Sequence, residues 1–307
     1  DGRLAKLTTS LNESVAADLS KVNSYLTEIA TLNLRIDRVE LASGGVANDL
    51  RDLRLSKIEE LSKLVNVTVA PGTVGGLNIS VDGHDLVVDS NVIETLETFD
   101  PGTGVLQLRT AGGGASVSLT GGSIHGTMEA RDGTVASMRA GVNALAALVI
   151  TEVNAVHAAG YSLTGSTGAD LFTGTNAADI SVNAALTGNP ALLQAAGVPG
   201  AVGDNQVALA IAQLANQRHA ALANQTFNDA YGQVAVELGN ELSSVNAHLV
   251  DQGVVERLLL AQRDSISGVS IDEEMTNLTK FQKAFEASAR LVATVDQMLD
   301  TIIGLKR

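Results

Sequence analysis

The C-terminal stripe constrains this chain most. Ile271, Leu278, Phe285, Val292 and Leu299 recur every seven residues, and Phe281, Val295 and Ile302 fill the second seam position, with Glu274 and Ser288 as polar exceptions. A 4-3 repeat of this kind is the signature of helices packed side by side, and such a helix is not stable alone in water. A partner helix is therefore implied. Ser270 followed by Glu273 reads as a capping box that opens it.

The N-terminal forty residues repeat the theme. Val15, Val22, Ile29 and Ile36 lie seven apart with Leu19 and Leu26 between them, while Glu13, Asp18, Lys21, Glu28 and Arg35 mark a solvated face. Ser43-Gly44-Gly45 ends this helix, and Asn48 is a candidate N-cap for a second, running to about Val65. Both striped ends are expected to need neighbours outside the molecule to cover them.

The period then falls to two. Val67 and Val69, then Leu77, Ile79 and Val81, alternate with polar residues, and Asp82-Gly83 leads to Leu86 and Val88, a hairpin signal. Val105, Leu106 and Leu108, then Val117 and Leu119, suggest further strands between glycine-rich turns. Helix resumes near Gly126 and carries an apolar face to about His157. The stretch 159–205, rich in Gly, Ala, Asn and Thr, reads as irregular, and helical periodicity returns from Asn205 and strengthens after Thr226.

The predicted fold class is α+β: a long antiparallel helical bundle with coiled-coil segments and a small inserted β-rich domain. The expected division is 1–65 helical bundle, 66–125 β-rich domain, 126–158 a helix returning to the bundle and 159–205 an irregular segment associated with the β-rich domain. The bundle's C-terminal part follows at 206–266 and an assembly helix at 271–305. Composition agrees. Aromatic residues are 3% and Trp is absent, so Ala, Val and Leu do the burying, which suits narrow helical seams better than a bulky ligand pocket.

The net charge of −14 argues against nucleic acid and anionic lipid as partners. No apolar run approaches the ~20 residues of a membrane span, so membrane insertion is not expected. With no cysteine, disulfides and thiolate metal sites are excluded. The start at Asp1-Gly2-Arg3 has neither an initiator Met nor a signal-peptide pattern and reads as an internal fragment or a processed product.

Catalytic constellations are sparse. His84, His125, His157, His219 and His248 are scattered and read as ordinary surface or turn residues. Gly112-Gly113-Gly114 lacks the Lys-Ser or Lys-Thr of a phosphate loop, and no nucleophile elbow is present. Gly165 and Gly174, like Asp170 and Asp179, are nine apart, an echo of calcium-binding β-rolls. One repeat and a poor second cannot stack a roll, so a Gly-Asp turn is the better reading. Paired carboxylates such as Asp49 with Asp52 or Glu273 with Glu274 lie on solvated faces or in a cap, without the aromatic cleft a glycosidase needs. No enzyme activity and no cofactor are expected.

One resemblance is specific. Ser267-Gly268-Val269-Ser270-Ile271-Asp272-Glu273-Glu274, then Asn277-Leu278, Phe281-Gln282-Lys283-Ala284-Phe285 and Ala287-Ser288-Ala289-Arg290, is similar to the closing segment of flagellar axial proteins. Asn48 to Asp52, Leu61 to Val67, Gly121-Gly122, Arg131-Asp132, Asn154, His157, Gly160, Asp170 to Gly174, Asn189-Pro190 and Gly203-Asp204-Asn205 follow in order. As a set they resemble the hook–filament junction protein family.

The resemblance implies a secreted structural subunit of the extracellular flagellum, exported unfolded through the flagellar type III pathway. Its implied partners are hook protein, a second junction protein, filament subunits and an export chaperone, with self-association in a ring or tube. The implied assembly residues are Ile271, Leu278, Phe281, Phe285, Val292, Val295, Leu299 and Ile302. The family's opening helical segment with an Asn-rich, Pro-Gly motif is not in this sequence, and a compact version without the extra outer domain of large members is expected. Another axial protein (hook, rod or flagellin-like) and a secreted calcium-binding adhesin are the alternatives.

Overall fold

The computed structural model describes residues 1–73, 75–267 and 271–304, with side chains at all of these except 267, 271 and 300–304. The chain divides into two compact units, Asp1–Gly239 and Asn240–Arg307.

The first unit is built on α1 (Gly2–Ser43), a helix about 60 Å long at 1.5 Å per residue. Gly44, at φ 66°, ends it by returning its N–H to the Glu40 carbonyl. The Glu40 side chain then organises the corner: it accepts from Ala47 N–H at 2.9 Å and takes Arg51 through two 2.8 Å hydrogen bonds. The next helix, α2 (Asn48–Leu64), therefore begins without a capping bond from Asn48, because Glu40 already satisfies the corner's backbone.

Among the described residues, six short strands follow α2 before the next helix. β1 (Thr68–Pro71), β2 (Leu77–Val81), β3 (His84–Val88) and β4 (Asn91–Val92) form one antiparallel sheet in sequence order. Asp82 and Gly83, both at positive φ, make the two-residue turn from β2 to β3. β5 (Leu96–Phe99) and β6 (Gln107–Thr110) pair as a separate ribbon. Val105 and Leu106 lie just before β6, and Val117 and Leu119 are buried without joining a strand.

The α1 stripe is covered from within. Val15, Leu19, Val22, Leu26 and Ile29 belong to one core with Ile58 and Leu61 of α2, Ile79 and Val81 of β2, Leu86 and Val87 of β3, Leu96 of β5 and Leu108 of β6. The expectation that this end needs an outside neighbour is corrected: α2 and the hairpins folded over the helix face do the covering. The helical period of α1 describes the face, not what lies on it.

Helix follows in α3 (Ser123–Glu129), a π-helical segment Ala130–Val135 and α4 (Ala136–Ala158). By length and composition alone Ser123–Ala158 is long and apolar enough to cross a membrane, more than the sequence reading allowed. Its polar side chains are tied to the body, however: Asn143 to Ala177 N–H, and Asn154 and His157 to the following segment. Beyond it come β7 (Phe172–Thr173) and β8 (Ser181–Val182), then α5 (Ala184–Gly188) and α6 (Gln206–Leu214). The chain then enters α7 (Phe227–Ser267). Thr226 and Asp229 cap α7 reciprocally, Asp229 N–H donating to Thr226 Oγ1 and Thr226 N–H to Asp229 Oδ2.

The second unit holds the rest of α7 and α8 (Ile271–Gly304). The α+β expectation holds, with long helices and small antiparallel sheets.

Candidate assembly interface

The first unit is braced by side-chain amides that act as surrogate strands. Asn23 of α1 donates to Leu96 O at 2.8 Å and accepts from Leu96 N–H at 3.1 Å. Asn33, ten residues on, does the same with Leu77 at 2.9 and 3.3 Å, and also donates to Asp89 O. Asn12 donates to Gly104 O and accepts from Leu106 N–H. Asn23 and Asn33 satisfy backbone at the start of β5 and β2 that burial would otherwise orphan, and Asn12 holds the turn before β6. Asn12 also accepts from Arg131, a fully buried guanidinium of the π-helical segment that pairs with Asp132 at 2.6 Å.

The same device holds the 159–205 stretch. Asn154 accepts from Leu171 and Phe172 N–H and donates to Phe172 O. His157, 1% exposed, donates from Nδ1 to Ala169 O at 2.7 Å and accepts at Nε2 from Gln194 N–H at 3.1 Å. Those partners fix its neutral tautomer. The reading of His157 and His219 as surface or turn residues is corrected. His219 is buried too, stacked on Phe227 with ring centroids 4.3 Å apart and 4.0 Å from Glu152. Asn12, Asn23, Asn33 and Arg131 were missed as anchors. The available signal was asparagine at helical spacing on the edge of an apolar stripe.

The carboxylates of the glycine-rich turns are spent on backbone. Asp179 accepts from Thr175 and Asn176 N–H at 2.8 Å each, and those bonds hold its pKa below the usual carboxylate range. Asp204 accepts from Gly197 and Gln206 N–H, with the same lowering. Residues 174–179 thus form a braced turn between β7 and β8. Among the described residues no cluster of three or more His, Asp or Glu side chains is placed to hold a metal.

The second unit is different in kind. Asp272, Glu273 and Glu274 sit in the first turn of α8, where negative charge complements the helix dipole. Thr276, Thr279, Ser288 and Thr294 turn their hydroxyls onto their own helix's carbonyls. Beside exposed charges such as the Lys283–Glu286 pair, an apolar stripe also faces outward. Leu278, Phe281, Phe285, Val292, Val295 and Leu299 are all exposed, from 47% at Val295 to 77% at Phe285. Leu278, Phe281 and Phe285 border a shallow hollow edged by Gln282 and Glu286. The Ile271 and Ile302 side chains and the Ser270 cap lie outside the described residues. On the α7 portion of this unit Leu242, Val245, Leu249 and Leu258 are exposed as well.

Comparison with known proteins follows the same division. The sequence model of the flagellar hook-associated protein FlgK helical domain matches residues 1–172, and that of the flagellar basal body rod FlgEFG protein C-terminal region matches 261–305. Flagellar hook-associated protein 1 of Escherichia coli K12 is 23% identical over 390 positions, covering 96% of this chain and 71% of that protein. The namesake from Bacillus subtilis is 26% identical over 340 positions, covering 98% and 67%. Both alignments run longer than this chain's 307 residues, so the relatives carry insertions within the matched span. The flagellar hook junction protein FlgK from Burkholderia pseudomallei superposes with TM-score 0.49 at 29% identity, over 56% of this chain and 32% of that one. With more than half its length matched by one family, the chain belongs to the flagellar hook-associated protein FlgK helical-domain family.

Proposed function

We propose that this chain is a structural subunit of the bacterial flagellum, joining hook to filament, and that it assembles through the α8 stripe. The observation that carries this reading is a contrast between two similar seams. The α1 stripe is sealed under the chain's own α2 and hairpins, whereas the described apolar positions of α8 are open along the helix. Burying exposed Leu, Phe and Val side chains against a neighbour returns roughly 1.5–3 kcal/mol each, which is ample for a repeating lattice.

Hook protein, a second junction protein and filament subunits are the neighbours this role requires, with a chaperone covering α8 before export. Self-association in a ring or tube completes the seam. The role is structural, not catalytic: the buried polar groups of the first unit brace turns and strand edges, and its carboxylates are held by backbone N–H groups.

Cells lacking the protein, supplied with a chain deleted for residues 271–305, provide the test. Hooks without filaments, with the truncated protein still folded, are expected. Normal filaments on those hooks would refute the proposal.

A further inference from the structure

The chain has four methionines and no cysteine. Met128 packs half-buried on the core of the first unit and Met138 is half-buried on α4. The other two are on α8 and open: Met275 is 61% and Met298 59% exposed. In the heptad that places Ile271, Leu278, Phe285, Val292 and Leu299 at the first seam position, Met275 takes the flank after one seam residue and Met298 the flank before another. These flanking positions usually carry charge and touch the partner helix when two helices pack. Here they carry thioethers.

We infer that Met275 and Met298 form a peroxide-sensitive modification site whose oxidation blocks assembly of α8. This rests on α8 being the assembly surface. A methionine sulfur attacks one oxygen of hydrogen peroxide, the O–O bond breaks, and the departing hydroxide takes a proton to become water. The thioether is oxidised to a sulfoxide and the peroxide is reduced. No thiol on the chain competes for the oxidant. The product is a strong hydrogen-bond acceptor set beside Leu278 or Leu299, and a packed seam would bury it without a donor. Reductases that act on methionine sulfoxide make the change reversible. Packing against a neighbour would shield both sulfurs, so the sensitive window is the free subunit.

The test treats the purified full chain with hydrogen peroxide and maps oxidation by mass spectrometry, free and after co-sedimentation with isolated hooks. Met275 and Met298 are expected to oxidise about tenfold faster than Met128 and Met138 in the free chain, and to be protected once bound. Oxidised chain should bind hooks at least about tenfold more weakly, with binding kept by the Met275→Leu/Met298→Leu double variant after the same treatment. Equal binding of oxidised and untreated wild type, or equal loss in the double variant, would overturn the inference. If untreated chain does not bind hooks, the assembly reading falls and takes this one with it. If untreated chain binds but its two sulfurs stay open to peroxide, only this inference falls.

Discussion

Arg54 Nη1 of α2 donates to Asn33 Oδ1 of α1 at 2.7 Å, and the same Asn33 amide donates to the backbone of Leu77 and Asp89. One buried side chain thus joins two helices and the first sheet. Arg54 also donates to Gly75 O, and its burial lowers its pKa from the ordinary arginine value. A charge held this way depends on every partner staying in place.

Replacing Asn33 with Ala removes the acceptor for Arg54 and strands the strand-edge backbone. The expected loss is about 2–5 kcal/mol of first-unit stability, read as a lower urea midpoint with an unchanged slope. A loss under about 0.5 kcal/mol would show that water or a neighbour replaces the amide.

His157 bridges Ala169 and Gln194 across the segment after α4. Substitution with Ala should cost about 2–4 kcal/mol and speed hydrogen exchange at Gln194 and at residues 169–172, while β2 and β3 stay protected. Unchanged exchange at Gln194 would contradict its role as the pin.

Glu40 supplies a pH test. Its hydrogen bond from Arg51, then that from Ala47 N–H, lowers its pKa from 4.5 to about 2. A carboxylate depressed on folding stabilises the native state above its unfolded pKa. That contribution fades as pH falls from about 4.5 toward about 2. Comparing the unfolding of wild type and Glu40→Gln across this range should show the wild-type advantage at neutral pH shrinking through that window. A difference that is flat with pH would sink the assignment.

Gly122 sits at φ 88°, and a Cβ there would collide with the Leu64 carbonyl. Gly122→Ala is therefore expected to cost at least about 2 kcal/mol in thermal unfolding, from strained backbone and a displaced α2 end together. A melting temperature within a degree of wild type would contradict that packing.

The helical ends, the glycine stop after Ser43 and the Asp82-Gly83 hairpin were legible because each depends on local chemistry: period, missing Cβ, turn preference. What covers the α1 stripe was not legible. A row of Val and Ile looks the same whether a hairpin of the same chain or a neighbour lies on it, and only tertiary contact decides. Asn12, Asn23 and Asn33 escaped for a related reason, since asparagine in a helix usually signals solvent or a cap. Arg131, Asn154, His157 and Asp204 prove to be braces and Gly122 a point of close backbone approach, so the family likeness in the first unit records architecture. The α8 stripe was read by number from the sequence, and its exposed positions now carry the proposal.

The most direct measurement places Phe281→Asp together with Phe285→Asp in the full chain and follows co-sedimentation with isolated hooks beside the melting curve. Both rings are exposed, so the melting temperature of the first unit should stay within about 1 °C while hook binding drops at least a hundredfold. Wild-type binding by this double variant would contradict assembly through α8.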